Sequence, residues 1–214
     1  MIPQRFYDLW DAALAIPELG GGGSVVAPRL VELAERVPAG ACIVETGPWF
    51  GSTTAFLAIG SWLNPAHPTV HSYDLWRAGA EWVLKAWRYN KIALAPDQDL
   101  KPLWQRNVRH FPGRIVGHQG DALALSPPRA PVGLLVDDCT SGVEDLARLF
   151  ANFERRLIDG AVVVVMDYYF ARTKRAPEFV GTIDYFRSRP DTFEGPRRIG
   201  RRGTVAAFTY RAGA

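Results

Sequence analysis

Cysteine is scarce in this chain, whose 214 residues include only Cys42 and Cys139. Two thiols do not make the disulfide framework of a small secreted domain, and they are too few for a structural zinc site of the usual cysteine-rich kind. Both lie in or beside predicted buried strands, where cysteine behaves as a small apolar residue. We therefore expect neither a disulfide nor a zinc ion.

Long apolar runs are absent as well. No stretch approaches the roughly 20 apolar residues that span a bilayer, and the first residues lack the apolar core of a signal peptide. Internal repeats and low-complexity segments are also missing. The sequence thus predicts a cytoplasmic protein without a membrane partner.

Charge of one sign is not in large excess. The chain has 25 lysines and arginines against 22 aspartates and glutamates, which gives a formal net charge of +3. Proteins that bind polyanions usually cluster their basic residues on one face. The local excess near the C-terminus is interpreted as the solvated rim of a hairpin, and it consists of Arg197, Arg198, Arg201 and Arg202. We expect no nucleic-acid partner.

Hydrophobic residues make up 48% of the chain, which is enough for one domain with a sizeable core. Residues 1–24 are expected to form an N-terminal helix, over 6–15, and a glycine-rich hinge, over 20–23. Residues 25–214 then form the main domain, which carries a helical insertion over 75–113. The apolar N-terminal helix is the candidate surface for a homodimer.

Strands and helices are predicted to alternate along the main domain. The predicted strands are 41–44, 69–73, 114–118, 131–136, 161–165, 193–199 and 204–210. The helices flanking the first and last parallel strands include 27–36, 52–62, 142–157 and 178–187. This order, with an antiparallel pair at the end, indicates an α/β protein with a doubly wound, mostly parallel seven-stranded sheet and a C-terminal antiparallel hairpin.

The loop after the first strand has the features of a ligand-binding turn. Gly47 and Gly51 leave bare backbone for a ligand to approach, and Ser52 opens a helix whose first amides are unpaired. The spacing differs from the G-x-G-x-x-G of dinucleotide-binding loops, and Glu45 stands where the first glycine would be. Because a carboxylate repels a pyrophosphate, an amine-bearing, cationic ligand fits this loop better.

Carboxylates follow the next parallel strands. In chain order they are Asp74, Asp121, Asp137 with Asp138, and Asp167. Parallel strands bring their carboxyl ends to one edge of the sheet, where α/β proteins bind ligands. Asp74 follows the second strand and so lies beside the glycine loop, where it can accept hydrogen bonds from both hydroxyls of a ribose.

The segment Glu45-Thr46-Gly47-Pro48-Trp49-Phe50-Gly51 resembles motif I of the class I S-adenosylmethionine-dependent methyltransferases. The resemblance implies their Rossmann-like fold and S-adenosylmethionine as cofactor, with the loop around the methionine end. It also implies that Asp121, in Gly120-Asp121-Ala122, accepts a hydrogen bond from the adenine amino group. The cofactor-binding residues expected on these grounds are Glu45, Gly47, Gly51, Ser52, Asp74 and Asp121.

Within that family the later acids resemble those of the magnesium-dependent macrocin-type O-methyltransferases of antibiotic sugars. Asp137 and Asp167 match the acidic elements of that group, whereas Met166 and Cys139 stand where two further acids belong. Asp137 and Asp167 are thus the candidate ligands of Mg²⁺, which prefers oxygen donors. The alternative is that Asp137 or Asp138 acts as a metal-free general base, or that these acids have structural roles.

The leading hypothesis is a methyltransferase that O-methylates a small molecule, either a secondary metabolite or a sugar, with Asp137, Asp138 and Asp167 as catalytic candidates. Two alternatives remain: a methyltransferase-like binding protein that has lost catalysis, and an NAD-dependent oxidoreductase. The acceptor pocket is expected to be built from 75–113, the N-terminal segment and 170–177. The identity of the acceptor does not follow from these residues.

Overall fold

The computed structural model describes residues 4–18, 22–140, 142–169, 177–200 and 204–213. The helices are α1 (Gln4–Leu14), α2 (Gly22–Glu35), α3 (Ser52–Leu63), α4 (Ala80–Asn90), α5 (Lys101–Val108), α6 (Val143–Phe153) and α7 (Pro177–Arg187). The strands are β1 (Cys42–Thr46), β2 (Val70–Asp74), β3 (Ile115–Gln119), β4 (Val132–Asp137), β5 (Leu157–Val165), β6 (Phe193–Arg198) and β7 (Ala206–Tyr210). Within these ranges, no helix combines the length and the apolar character needed to cross a membrane.

The strands form one seven-stranded sheet in the order β3-β2-β1-β4-β5-β7-β6. The pairs among β1 to β5 are parallel, and β7 runs antiparallel between β5 and β6. This confirms the predicted α/β architecture with its C-terminal antiparallel hairpin. The order reverses between β1 and β4, which is the switch point where open α/β sheets bind ligands.

Two apolar cores, one on each face, hold the sheet between helices. In β4, Leu134 faces a core shared with α1, α2, α3 and α5, whereas Leu135 faces a core shared with α6 and α7. Successive side chains of a strand point to opposite faces, so a central strand must be apolar throughout. All residues of β4 are buried for this reason.

Two predicted boundaries were wrong. α2 begins at Gly22, so the second half of the predicted 20–23 hinge is helical, while 19–21 lie outside the described residues. α6 ends at Phe153, followed by a single 3₁₀ turn, and β5 begins at Leu157. Leu157 pairs with Val132 of β4, and this contact between distant residues overrides the local helical pattern.

The N-terminal helix packs against its own chain. Leu9 and Ala13 of α1 are buried in the core shared with α2 and α3, and the ring of Trp10 lies 5.1 Å from that of Phe56 in α3. The buried face of α1 is therefore already covered. The domain boundary at residue 24 and the homodimer both stay predictions.

A pair of histidines joins β2 to the edge strand β3. His71 Nδ1 lies 3.0 Å from His118 Nε2, and the His118 ring stacks on Tyr73 at 4.3 Å. Burial and the charges of His118 and Arg114 lower the pKa of His71 to about 4. Burial and then the charge of Lys101 lower the pKa of His118. Both histidines are thus neutral in the folded protein near pH 7.

We expect this pair to make the fold sensitive to acid. A histidine whose folded pKa lies below the unfolded value of about 6.5 contributes stability at higher pH and loses it as the pH falls towards the folded value. When the pH falls from 7.5 to 5, the free energy of unfolding should drop in both proteins. The drop should be smaller in His71→Gln than in the wild type, by about 1–2 kcal/mol after allowance for solvent screening. Urea unfolding at both pH values measures this. The exposed His110→Gln is the control, and equal losses in His71→Gln and the wild type would contradict the expectation.

Candidate active site

The parallel strands end at one level. Their register aligns the residues Thr46, Tyr73, Asp137 and Val165. The chain then continues the alignment by one residue, because Gly47 N donates to Tyr73 O at 2.9 Å and Asp138 N donates to Thr46 O at 3.0 Å. Gly47, Asp74, Asp138 and Asp167, here called the strand-end cluster, accordingly lie at the carboxyl edge of the sheet.

The glycine loop needs its glycines for two separate reasons. Gly47 has a φ of +76°, and a Cβ atom there would lie 2.7 Å from the backbone oxygen of Asp138. Gly51 has a φ of +99°, and a Cβ atom there would lie 2.6 Å from Val108 Cγ1 of α5. A side chain at either position would be strained and would clash. The loop is therefore packed between the β4 end and α5.

Glu45 lies beneath this loop and has no exposed surface. Its Oε2 accepts hydrogen bonds from Thr54 Oγ1 at 2.6 Å and from Ser72 Oγ at 2.8 Å, whereas Oε1 has no hydrogen-bond partner. Burial raises the pKa of Glu45 to about 7. The structure thus places this predicted cofactor residue between β1, β2 and α3, where it supports the loop from below.

Asp74 sits at the end of β2 with both carboxylate oxygens engaged. Oδ1 accepts from Trp76 N at 2.6 Å and Oδ2 from Trp49 N at 3.3 Å. Burial raises the pKa of Asp74. Trp49 and Trp76 have φ values of 50° and 45°, a conformation that non-glycine residues seldom adopt. Each oxygen keeps a further lone pair, so Asp74 remains able to accept the ribose hydroxyls.

Asp137 is buried and saturated with hydrogen bonds. Its Oδ1 accepts from Thr46 Oγ1 at 2.9 Å and from the backbone N of Cys139 and Thr140, each at 3.3 Å. Its Oδ2 accepts from Thr140 Oγ1. Burial raises the pKa of Asp137, and these donors oppose that rise. The carboxylate therefore ties the ends of β1 and β4 together.

Thr46 and Thr140, which donate hydrogen bonds to Asp137, are residues of the candidate site that the sequence interpretation missed. Thr140 carried a local signal, because a threonine three residues after an aspartate can donate to it within one turn. Thr46 carried none in its own segment. Its role follows from the register, in which it is the Cα partner of Asp137 across 91 residues.

The Asp138 side chain keeps part of its surface exposed to solvent, but the nearby protein atoms reduce the hydration of its carboxyl group. This loss of hydration, followed by the charges of Asp167, Asp137, Glu45 and Asp74, raises the pKa of Asp138 well above its ordinary value. The negative charges of four other acids thus disfavour ionisation of this one carboxyl. An accessible carboxyl with a raised pKa is suited to accept a proton near neutral pH.

Asp167 follows β5 and is half-buried. Its Oδ1 accepts from Thr204 Oγ1 at 3.3 Å. The two neighbours in sequence turn into the protein, since Met166 and Tyr168 are both buried. The predicted acceptor loop over 170–177 lies outside the described residues except for its last residue.

The magnesium ion expected at Asp137 and Asp167 stays a prediction, and the contacts of the described residues weigh against it. Within them, no group of three or more histidines, cysteines, aspartates or glutamates is arranged to hold a metal. Asp137, one of the two predicted ligands, already has both oxygens in hydrogen bonds. The Cys139 Sγ lies 3.6 Å from Asp137 Oδ1, and its pKa is raised well above the ordinary value by burial and then by Asp137.

The remaining predicted residues, Asp121 and Ser52, have partners that the sequence did not suggest. Asp121 is exposed, accepts from Leu123 N at 2.9 Å and pairs with Arg148 Nη2 at 3.1 Å. Ser52 Oγ donates to Glu18 Oε1 at 2.7 Å. Arg148 and Glu18 are distant in sequence from these residues, so no local pattern reveals the two contacts. The roles of Asp121 and Ser52 towards a cofactor stay predictions.

No protein-family model matches the chain, and no curated protein matches it significantly in sequence. Solved structures do match its fold. The O-methyltransferase NovP superposes with a TM-score of 0.60 at 18% identity, over 86% of this chain and 79% of that chain. CalS11, a TDP-rhamnose 3′-O-methyltransferase of calicheamicin biosynthesis, superposes with a TM-score of 0.62 at 16% identity, over 100% of this chain and 88% of that chain.

TomG, an O-methyltransferase of Streptomyces achromogenes from tomaymycin synthesis, was solved in complex with S-adenosylmethionine. It superposes with a TM-score of 0.54 at 18% identity, over 99% of this chain and 100% of that chain. At these identities the likeness is one of fold. The Rossmann-like methyltransferase fold that the sequence predicted is therefore confirmed.

Proposed function

We propose that this chain is an S-adenosylmethionine-dependent methyltransferase that O-methylates a small molecule, either a secondary metabolite or a sugar. The observation that carries the proposal is the strand-end cluster, in which Gly47 packs against the backbone of Asp138. The charge of Asp167 acts on that same Asp138. The shared fold with O-methyltransferases of sugars and natural products supports it.

The charge of the cluster favours this cofactor over a dinucleotide. S-adenosylmethionine has a sulfonium and an ammonium group, whereas NAD has a pyrophosphate. The carboxylates of Asp74, Asp138 and Asp167 attract the former and repel the latter. An oxidoreductase that binds NAD at this loop is disfavoured for the same reason.

Different residues around the cluster would bind different parts of the cofactor. Gly47 and Gly51 leave the loop backbone open to the methionine end, with Ser52 at the start of α3. Asp74 would accept hydrogen bonds from the ribose hydroxyls, and Asp121 would accept one from the adenine amino group. Gly120 N donates to Asp74 O at 2.9 Å, so the ends of β2 and β3 are adjacent and the two sites are contiguous.

S-adenosylmethionine supplies an electrophilic methyl group when it is bound. Asp138 would accept the proton that the acceptor hydroxyl loses as its oxygen bonds to the methyl carbon, while the electron pair of the broken carbon–sulfur bond goes to sulfur. The raised pKa of Asp138 makes its carboxylate a stronger base than an ordinary aspartate. Asp137 would position Asp138 through the end of β4, and Asp167 would maintain its raised pKa.

The acceptor would lie between Asp138 and α4. The ring of Trp82 in α4 lies 5.3 Å from the ring of Trp49 in the glycine loop. Trp82 and Trp87 remain 40% and 56% exposed, so they offer aromatic surface to a ligand. Aromatic walls of this kind commonly line small-molecule sites.

Binding of the cofactor gives a direct test with an electrostatic signature. We expect S-adenosylmethionine to bind, and its Kd to rise about three- to tenfold between 50 and 500 mM NaCl because salt screens the acidic cluster. S-adenosylhomocysteine lacks the sulfonium charge, and its Kd should change less than about twofold. Isothermal titration calorimetry measures both.

The outcomes of this titration separate the hypotheses. If neither ligand binds, the proposed function is wrong, and binding of NADH in their place would favour an oxidoreductase. If both ligands bind with the same salt dependence, the electrostatic argument is wrong although the cofactor assignment holds.

A further inference from the structure

Helix α5 contacts the glycine loop on the side opposite the strand ends, through a hydrogen bond and a close packing contact. Asn107 Nδ2 donates to Phe50 O in the loop at 2.9 Å, and Val108 Cγ1 lies against Gly51 so closely that no Cβ would fit. We propose that Asn107 and Trp104 of α5 are positioning residues that hold the glycine loop in its ligand-binding shape. This proposal rests on the proposed function.

A buried chain of hydrogen bonds makes the second fastening. Trp104 Nε1 donates to Thr54 Oγ1 at 3.1 Å, and Thr54 Oγ1 donates to Glu45 Oε2 at 2.6 Å. Trp104 is 3% exposed and Glu45 is fully buried. The indole therefore orients the Thr54 hydroxyl towards the carboxylate beneath the loop, and its loss would leave a buried acceptor short of a donor.

The indole is itself held on its far side. A Cβ atom at Gly117 of β3 would lie 2.6 Å from Trp104 Cζ3, and the Trp76 ring packs on Trp104 at 4.7 Å. Trp104 is thus wedged between β3 and α3. Because the ring has no room to move, α5 is fixed relative to β3. The loop, which contacts α5, is fixed with it.

The loop has a specific need for such support. Pro48 to Gly51 form a tight turn in which Gly51 N donates to Pro48 O at 2.8 Å. The turn contains Trp49 with a φ of 50° as well as Gly51 with a positive φ. A strained turn keeps its shape when its surroundings determine it. Asn107 binds the Phe50 carbonyl inside this turn and so fixes the orientation of the peptide that precedes α3.

The insertion over 75–113 accordingly has two separate tasks. α4 keeps Trp82 exposed beside Trp49 of the loop, which suits an acceptor. α5 buries Trp104 and Val108 against the loop and sheet, which suits cofactor binding. Substitutions in α5 are therefore expected to act on cofactor affinity.

The test compares cofactor binding with stability in matched variants. In Asn107→Asp and Trp104→Phe the Kd of S-adenosylhomocysteine should rise about tenfold, consistent with the loss of one hydrogen bond, to Phe50 of the loop in the first variant and to Thr54 of α3 in the second. Phe153→Leu, in the opposite core, should lower Tm at least as much and leave this Kd unchanged. Arg106→Gln, exposed on α5, should leave both unchanged. Calorimetry and differential scanning fluorimetry provide the values.

Hydrogen exchange of the free protein tests the support without any ligand. Amides over residues 47–54 should exchange faster in Asn107→Asp and Trp104→Phe than in the wild type, whereas those over 143–153 should not. Unchanged Kd and unchanged exchange in both variants would overturn the proposal. If wild-type protein does not bind S-adenosylhomocysteine, the proposed function fails, while the exchange result still decides whether α5 holds the loop. Should Asn107→Asp not fold, Trp104→Phe decides alone.

Discussion

Gly47→Ala is expected to abolish binding of S-adenosylmethionine, with a rise in Kd of more than about 100-fold. The new Cβ atom would lie 2.7 Å from Asp138 O and 2.9 Å from Asp138 C. These are backbone atoms of a central strand end and cannot turn aside as a side chain can. The loop must shift instead, and the shift would separate Gly47 from Asp138, the two parts of the proposed site.

The same change should lower the free energy of unfolding by about 3 kcal/mol, from the positive φ together with the clash. Gly160→Ala is a matched control, because Gly160 also has a φ of +76° but a Cβ atom there would meet nothing within 4 Å. It should lose only about 1–2 kcal/mol, the cost of a left-handed conformation. Urea unfolding and calorimetry measure the two variants side by side.

Equal losses of stability in the two alanine variants would show that the close approach to Asp138 is unimportant. Normal binding of S-adenosylmethionine by folded Gly47→Ala would remove the loop from the proposed site. Gly160→Ala should bind the cofactor as the wild type does.

Asp138→Asn is expected to reduce methyl transfer by about 100-fold or more, since an amide cannot accept the acceptor's proton. S-adenosylmethionine should still bind within a few fold of the wild type. Turnover is followed by release of S-adenosylhomocysteine, with whichever phenol, catechol or nucleotide sugar of a test panel the wild type methylates. The raised pKa means that ionised Asp138 costs stability near pH 7, and that this cost disappears as the pH falls towards its unfolded value. The variant should therefore be as stable as the wild type or more so at pH 7.

Asp137→Asn is the matched comparison from the adjacent position. The amide would present N–H groups to Thr46, Thr140 or the backbone donors that now reach the carboxylate. We expect a loss of about 2–4 kcal/mol of unfolding free energy. The two substitutions should thus have different effects: Asp138→Asn should lower turnover, and Asp137→Asn should lower stability.

A reversed result would exchange their roles. If Asp137→Asn lost turnover while remaining stable, the buried carboxylate would be the reacting group. If Asp138→Asn kept full turnover, the general-base proposal would be wrong, and catalysis would depend on positioning alone. Cofactor binding without transfer to any acceptor in the panel would favour the alternative of a methyltransferase-like binding protein.

Much of the fold followed from local patterns. Apolar β-branched runs such as the one in β5, and the glycines that stop helices, determine strands and helices through burial and backbone sterics within a few residues. The wrong boundary between α6 and β5 shows the limit of this reasoning. Leu157 continues a helical pattern locally, but its pairing with Val132 is a contact that no local pattern contains.

The candidate site divides in the same way. Glycines at positions 47 and 51 and an acid at each strand end are readable from the sequence, because the register of parallel strands brings such positions to one edge. Whether an acid at that edge faces a ligand depends on what surrounds it. Glu45 accepts hydrogen bonds from Thr54 and Ser72 and is buried, whereas the charges of neighbouring acids act on Asp138, which stays accessible.

The sequence by itself thus determined the α/β order, the glycine loop and the presence of acids at the strand ends, since each depends on the conformational preferences of neighbouring residues. Only the tertiary structure decided that Thr46 donates to Asp137 across two strands, and that Asn107 and Trp104 donate to Phe50 and Thr54. Hydrogen bonding and desolvation act over a few ångströms in space. They assign different tasks to chemically identical carboxylates once the chain has brought distant residues together.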